Sequence, residues 1–396
     1  RDDAQPQAAL APATNRFLNQ DLLGAGLGGD SPAWYERNPR LSEILDAAAL
    51  RLDQRFGKAP LLAASLRQTL GRAYRSTGDY GKAMVQLQLA ADLLERTVGD
   101  SDERSLLAEY ELVVMQAHMS QFKQAKVRLD RADAAAGTRR QSVSEISLRS
   151  HLARGDLAYQ QMQVQAALDN YQAAQTMQKI LHPDDALMSA HLLLGIAGCE
   201  LRLDHADAAA RIARQVLAGP AYTQQRVGLA VLALASSRLG DALRAQGRYA
   251  EAIAATRQAV ADYEASQGAS GQGTITALSS LSYLYSLDGD AAKSLSIQRD
   301  VYERARARWG STNQYTLVEQ LNLGSQEQQV GDLQAALSDP PAAPRGLLAV
   351  SVAQSPSVHP PRAPRAAVLP PLARPPAPSP LLLHPPHPPP VLPYSR

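Results

Sequence analysis

Two stretches of this chain carry the same pattern of residues at the same offsets. The first, LGRAYRSTGDYGKA, runs from Leu70 to Ala83, and the second, LGDALRAQGRYAEA, runs from Leu239 to Ala252. From the alanine that ends the first stretch, steps of 42, 42, 42, 43, 42 and 42 residues always reach a small residue. This alanine column consists of Ala83, Ala125, Ala167, Ala209, Ala252, Ser294 and Ala336. A fixed period of this length indicates a stacked array of supersecondary units.

Two further columns keep the same step. A small-residue column precedes the alanine column and consists of Gly71, Val113, Gly155, Ala197, Gly240, Ser282 and Gly324. A turn column lies between them and consists of Gly78, Ser120, Met162, Asp204, Gly247, Gly289 and Gly331. Small residues inside a helix cost helix propensity. We therefore expect a second helix backbone to pass close to the small-residue column.

Each copy has the pattern of a helical hairpin. Before the turn column, apolar residues recur three and four positions apart, as in Leu66, Leu70, Ala73 and Tyr74, which is typical of an amphipathic helix. Glycine at the turn column ends that helix, and a second apolar face follows. Stacked neighbours bury the faces that one hairpin leaves open. The sequence therefore predicts an all-α fold of six full repeats and a truncated seventh.

The order L-G-x-x-Y, followed by G-x-Y-x-x-A, resembles the tetratricopeptide repeat. The 42-residue unit is similar to the longer repeats of kinesin light chains, and the resemblance covers Leu62 to Leu337. It implies an α-solenoid, a right-handed superhelix whose concave surface is lined by the first helix of each repeat. We expect that surface to bind a protein or a peptide, with no cofactor, metal ion or catalytic residue.

The candidates for this surface flank the small and apolar columns on the first helices. They are Gln68, Arg72, Arg75, Asp156, Tyr159, Asp241, Arg244 and Tyr283. The arginines are expected to pair with carboxylates of a ligand, because guanidinium binds carboxylate bidentately. The alternative class is an enzyme with its active site in the groove. That alternative would need clustered buried carboxylates with a histidine in the middle of the array, and the sequence does not show such a cluster.

The segment before the first repeat includes NRFLNQDLL and then LSEILDAAALRLDQRFGKAPLL. It is similar to the region that enters the repeats of bacterial winged-helix transcriptional regulators or of serine/threonine kinases. The resemblance implies that the array is the sensory or docking part of a bacterial regulator, with a kinase as the alternative. Because the chain starts at Arg1 rather than Met, we expect an upstream part. We predict a flexible segment at 1–40, a leading helix within 41–61 and the array at 62–339.

Residues 340–396 differ in composition from the rest of the chain. They hold 19 of the 26 prolines and no Asp, Glu or Lys. Proline removes backbone donors and breaks helices, so we predict a disordered tail. Pro340 and Pro341 also interrupt the second helix of the seventh repeat soon after Ala336. The tail is rich in residue types whose codons are GC-rich, as expected of a GC-rich gene read in the wrong frame. This favours a shift of reading frame near codon 339, with a genuine proline-rich extension as the alternative.

Charge and composition exclude several classes. The net charge is +2, without the basic face that a nucleic-acid surface needs. The single cysteine, Cys199, permits no internal disulfide, which fits the cytoplasm, with the periplasm as the alternative if a membrane span lies upstream. The chain has no apolar run long enough to span a membrane.

Three short motifs resemble functional sites, but we interpret each as part of the local structure. GAGLGG, from Gly24 to Gly29, is followed by Asp30, Ser31 and Pro32 rather than by a helix, so we interpret it as a loop and not a dinucleotide site. His191 and Cys199 are two ligand types without a third, which does not make a metal site. In HPDD, which begins at His182, the two aspartates are expected to cap a helix rather than to act in acid–base chemistry.

Overall fold

The computed structural model describes residues 41–76, 78–219 and 228–331. These ranges contain α-helices and one 3-10 helix (Gly137–Gln141), and no strand. The α-helices are α1 (Leu41–Phe56), α2 (Pro60–Ser76), α3 (Tyr80–Val98), α4 (Glu103–His118), α5 (Phe122–Ala136), α6 (Glu145–Gln160), α7 (Val164–Leu181), α8 (Ala186–Arg202), α9 (Ala206–Ala218), α10 (Leu229–Ala245), α11 (Tyr249–Gln267), α12 (Gln272–Asp288), α13 (Ala291–Trp309) and α14 (Gln314–Val330). The segments predicted at 1–40 and 340–396 lie outside the described residues.

The helices follow one another as the predicted hairpins. Six pairs, from α2–α3 to α12–α13, come after α1, and α14 has the position of the first helix of a seventh repeat. The second helix predicted for that repeat falls beyond residue 331, outside the described residues. Helix α1 packs its fully buried Leu45, Ala48 and Leu52 in one cluster with residues of α2 and α3.

The turn column shares one backbone conformation throughout. All seven of its positions have a positive φ, including the non-glycine residues Ser120 (58°), Met162 (63°) and Asp204 (62°). In six of the seven, the next residue donates its amide to the carbonyl five residues back, as Arg248 does to Leu243 at 2.9 Å. This is the Schellman motif, which satisfies the open carbonyls at a helix end.

The alanine and small-residue columns meet inside the hairpins. Alanine-column residues from Ala83 to Ala252 are fully buried. A Cβ atom added at Gly240 would lie 2.4 Å from Thr256 Oγ1, and one added at Gly71 would lie 2.7 Å from Leu87 Cγ. Both distances are shorter than van der Waals contact, so glycine is required for the two helices to approach this closely.

The described residues divide into two compact units, one up to Ala277 and one from Leu278 to Gly331. In the first unit, consecutive hairpins pack on each other, with α4 against α6, α7 against α8 and α9 against α10. Asp46 of α1 accepts hydrogen bonds from Tyr74 Oη at 2.7 Å and Lys82 Nζ at 2.8 Å. These bonds fix the leading helix on the first repeat.

The second unit contains the end of α12 with α13 and α14, and a buried polar network lies among its apolar side chains. Buried Glu319 accepts hydrogen bonds through Oε2 from Ser279 and Gln298, both at 2.8 Å. Ser282 in the small-residue column donates to the carbonyl of Ser294 in the alanine column at 2.8 Å. Where serine replaces glycine and alanine, a hydrogen bond therefore joins the two helices of the hairpin.

Candidate functional site

A cavity of about 1030 Å³ opens in the first unit. Its wall comes from the first helices of four successive repeats, α2, α4, α6 and α8, and from the segment that joins α7 to α8; we call it the groove. The polar side chains of the groove are Arg72, Arg75, Tyr110, Glu111, Glu145, Arg149, Asp156, His182, Asp184, Asp185 and His191. Its apolar residues are Leu107, Val114, Leu152, Leu181, Pro183, Ala186, Leu187 and Met188.

The repeat period places these residues side by side. Arg72, Val114 and Asp156 are 42 residues apart and line the groove from α2, α4 and α6. Leu107, Arg149 and His191 make a second row at the same step on α4, α6 and α8. Equivalent positions of successive repeats thus present different chemistry to one continuous surface.

Two acidic side chains of the groove, Glu111 and Glu145, are each paired with an arginine. Arg72 binds Glu111 with both nitrogens, Nε to Oε1 at 2.9 Å and Nη2 to Oε2 at 3.1 Å. Burial raises the pKa of Glu111, but the charge and hydrogen bonds of Arg72 outweigh it and hold that pKa below its ordinary value. Glu145 contacts Arg149 Nε at 2.6 Å and His182 Nε2 at 2.7 Å.

A buried acid lies at the base of the groove. Asp156 is 2% exposed, and its Oδ1 accepts a hydrogen bond from Tyr171 Oη at 2.6 Å. Burial raises the pKa of Asp156 to about 6, against the opposing effects of the Tyr171 hydrogen bond and the charge of Arg75. This carboxyl therefore titrates closer to neutrality than an ordinary aspartate does.

Two histidines are held neutral beside the groove. Burial, followed by the charges of Arg75 and Arg149, lowers the pKa of His191 to about 4. Burial, followed by the charge of Arg75, lowers the pKa of His118 to about 3. Gln160 Nε2 lies 3.1 Å from His118 Nδ1 and donates to it. Protonation of either ring would add a second cation next to Arg75 without access to water.

The groove does bring carboxylates and histidines together in the middle of the array, which is the pattern associated with the enzyme alternative. Glu111 and Glu145, however, are each engaged by an arginine. His191 is buried and neutral at ordinary pH. The arrangement is therefore one of paired charges between apolar side chains, which suits recognition of a segment with both polar and apolar groups.

The predicted groove residues fall into three groups. Arg72, Arg75 and Asp156 line the groove. Tyr159 and Asp241 lie instead beside a second buried arginine, Arg238. The remaining predicted residues, Gln68 on α2, Arg244 on α10 and Tyr283 on α12, are half-buried and are not lining residues, and Tyr283 belongs to the second unit.

Several groove residues were missed by sequence reasoning. Glu111, which pairs with Arg72, was not predicted, and neither were the lining residues Arg149 and His191. The signal that could have found Arg149 and His191 is the 42-residue step from Leu107. The HPDD motif was read as a helix start, and Asp185 does cap α8 by accepting from the Met188 amide at 2.9 Å. The same segment also forms one wall of the groove.

Searches for other kinds of site among the described residues are negative. They contain no group of three or more His, Cys, Asp or Glu residues placed to hold a metal ion. Within the same ranges, no helix has the length and apolar character that crossing a membrane requires. Cys199 is buried, and burial raises the pKa of its thiol to about 12.

Comparison with protein families identifies the repeat. Two tetratricopeptide-repeat models match this chain, one at residues 63–103 and one at 231–307. The first match covers most of the α2–α3 hairpin, and the second covers most of α10 and α13 with all of α11 and α12. With the hairpins and the turn column already described, these matches identify tetratricopeptide repeats in both stretches. No curated protein matches it at a significant level.

The fold has a counterpart among solved structures. A Rap protein complexed with Competence and Sporulation Factor aligns with a TM-score of 0.54 and 13% identity, over 69% of this chain and 73% of its own. A signal transduction ATPase with a tetratricopeptide repeat sensor, from Pyrococcus horikoshii, gives 0.49 and 12%, over 88% and 54%. BtubC from P. vanneervenii gives 0.44 and 15%, over 67% and 97%. At such identities the Rap alignment shows a shared fold and nothing finer.

Proposed function

We propose that this chain is a non-enzymatic interaction module that binds an extended segment of a protein or peptide in the groove. The observation that carries the proposal is the cavity of about 1030 Å³ formed by the first helices of four successive repeats. Its volume lies at the upper end of the range for ligand sites. Stacked repeats typically use such a continuous concave surface to bind partners.

The chemistry of the groove favours a ligand with alternating polar and apolar groups. Leu107, Val114 and Leu152 offer apolar contact on α4 and α6. The paired charges of Arg72 with Glu111 offer hydrogen bonds to backbone amides and carbonyls as well as to side chains. An acidic ligand must compete with Glu111 for Arg72, so a purely electrostatic attraction does not account for binding here.

The wider role that we propose is that of the sensory or docking part of a bacterial signalling or transcriptional regulator. It rests on the likeness of the leading segment to the region that enters the repeats of such regulators. The Rap structure, with its bound Competence and Sporulation Factor, offers a precedent for ligand binding by this fold. The coding sequence upstream of Arg1 tests this role, because a winged-helix or kinase pattern there supports it and an unrelated sequence contradicts it.

Binding in the groove is tested by selecting peptides from a random library on the immobilised protein and mapping the best binder by hydrogen exchange. We expect slower exchange in α4, α6 and α8 than in the free protein. The second helices α5, α7 and α9 are the internal control and should change less. Protection confined to those second helices would contradict the proposal.

A further inference from the structure

A second, smaller cavity lies in the first unit beside the buried arginine Arg238. Its volume is about 30 Å³, and it is lined by residues of α10, α11 and α12 together with Tyr80. None of its lining residues is among those of the groove. It is therefore a separate site, and its chemistry does not depend on the proposed function.

Arg238 is a buried cation with one unmet hydrogen-bond donor. The residue is 4% exposed, and its Nε has no hydrogen-bond acceptor. The ion pair that it makes is long, with Nη1 4.0 Å from Asp241 Oδ2, and its guanidinium lies 5.9 Å from the centre of the Tyr159 ring. Buried charges are almost always paired and fully hydrogen-bonded, so an unmet donor here indicates a missing acceptor.

A second arginine adds to the positive charge. Arg202 is on α8, and its guanidinium lies 3.6 Å from the centre of the same Tyr159 ring. Burial lowers the pKa of Arg202, and the charge of Arg238 lowers it further. Two arginines thus share one aromatic ring, and Asp241 is the carboxylate that the ion-pair distances place beside Arg238.

The other polar residues around this cavity are neutral. Ser237, Thr276, Tyr80 and Tyr263 contribute hydroxyls, with Ser237 hydrogen-bonded to Tyr263. Gln267 and Gln272 contribute side-chain amides, and the lining residues include no carboxylate. Gln267 already accepts the Gly273 amide through Oε1 at 2.9 Å, which leaves its Nε2 as a donor. An arginine surrounded by hydroxyl and amide donors offers positive charge and hydrogen bonds to an anion. It would repel a cation.

We propose that this cavity is a binding site for one small oxyanion, a phosphate or a carboxylate group, held by Arg238. A water molecule needs about 10–15 Å³, so a volume of about 30 Å³ matches a group with only a few oxygen atoms. Water alone could fill the space, but it could not neutralise the arginine. A carboxylate or phosphate oxygen would satisfy Nε and add the negative charge.

The test uses nuclear magnetic resonance line widths of two probes, inorganic phosphate and acetate, titrated with the whole protein. We expect one or both signals to broaden, and the probe that broadens identifies the class of oxyanion. The variant Arg238→Gln should broaden the probe signal about tenfold less than the wild type does, since it removes the cation and keeps a polar side chain. The matched control is Arg248→Gln, because Arg248 is an exposed arginine that pairs with Glu251.

A second variant keeps the test decisive if Arg238→Gln does not fold. Ser237→Ala combined with Thr276→Val retains the cation and removes two hydroxyls, and it should weaken the broadening severalfold. If the wild-type protein broadens neither probe, the proposal is overturned. Equal broadening by the wild-type protein and Arg238→Gln would overturn it as well, since the anions would then bind elsewhere.

Discussion

At the scale of single residues, the backbone of the turn column is more uniform than its side chains. Gly247 has a φ of 73°, and Met162 in the same column has 63°. A left-handed conformation costs a non-glycine residue roughly 1–2 kcal/mol. The repeat thus imposes one turn geometry even on a methionine, so three of the turns carry backbone strain that glycine would avoid.

Exchanging residues within the turn column should change stability in opposite directions. We expect Met162→Gly to raise the free energy of unfolding by about 0.5–1 kcal/mol, the strain relieved being partly offset by the entropy of glycine in the unfolded chain. Gly247→Ala should lower it by about 1 kcal/mol, because its Cβ meets no atom within 4 Å and only the φ angle is strained. Urea unfolding measures both, and shifts of the same sign would contradict the strain argument.

The buried titratable groups of the groove predict how stability depends on pH. His118 and His191 have pKa values of about 3 and about 4 in the folded protein, below the ordinary value near 6.5. Below pH 6.5 the unfolded chain therefore binds more protons, and stability falls as the pH falls. Asp156, with its pKa raised to about 6, acts in the opposite direction between about pH 4 and 6.

Acidification from pH 7 to pH 5 separates these contributions. The wild-type protein should lose stability, and His118→Gln should lose about 2 kcal/mol less, because its side chain no longer gains a proton on unfolding. Asp156→Asn should lose about 1 kcal/mol more stability than the wild type, because its folded state no longer takes up the proton that partly offsets the loss in the wild type. Urea midpoints at the two pH values measure this. An identical loss in all three proteins would show that these groups titrate normally.

At the scale of helices, the hairpins are set by contacts between columns rather than by helix propensity. Gly240 on α10 faces Thr256 on α11, and its missing Cβ leaves the space that the threonine hydroxyl occupies. Gly81 on α3 is exposed, and only a side-chain atom of its neighbour Asp79 lies near the place of its Cβ, at 3.9 Å. Close helix packing therefore requires glycine at position 240, whereas no such contact requires it at position 81.

The same substitution at these two glycines should give opposite results. Gly240→Ala is expected to lower the free energy of unfolding by about 1–3 kcal/mol, as overpacking in a close contact does. Gly81→Ala should be neutral or stabilising by up to about 0.5 kcal/mol, since alanine has the higher helix propensity. Thermal unfolding compares them, and combining Gly240→Ala with Thr256→Ala should recover part of the loss. Equal melting temperatures would contradict the register of the columns.

The sequence predicts the helical hairpins well because the repeat period is visible in side-chain size at fixed positions. A small residue such as Gly240 or Ala252 indicates a close contact between two helices. The 42-residue step predicts the same contact in the other copies, including the divergent copy that carries Met162. The groove was predicted only in part. Arg72 pairs with Glu111 across a separation of 39 residues rather than 42, so the partner follows from helix packing and side-chain length, which the columns do not encode.

At the scale of the molecule, the first unit contains two separate cavities. The groove on α2, α4, α6 and α8 is large and combines paired charges with apolar contacts. The cavity beside Arg238 is small and lined by donors. Their lining residues lie outside the alanine and small-residue columns, whose described members are buried between helices except for the half-buried Gly324.

The most direct test of the account places one bulky residue on either face of the second repeat. Val114 on α4 lines the groove, and Val127 on α5 is 64% exposed on the second helix. The affinity of a library-selected peptide should fall at least tenfold for Val114→Trp, because the indole fills the binding space, and stay within twofold of wild type for Val127→Trp. Equal affinities in the two variants, measured by fluorescence polarisation, would contradict binding in the groove.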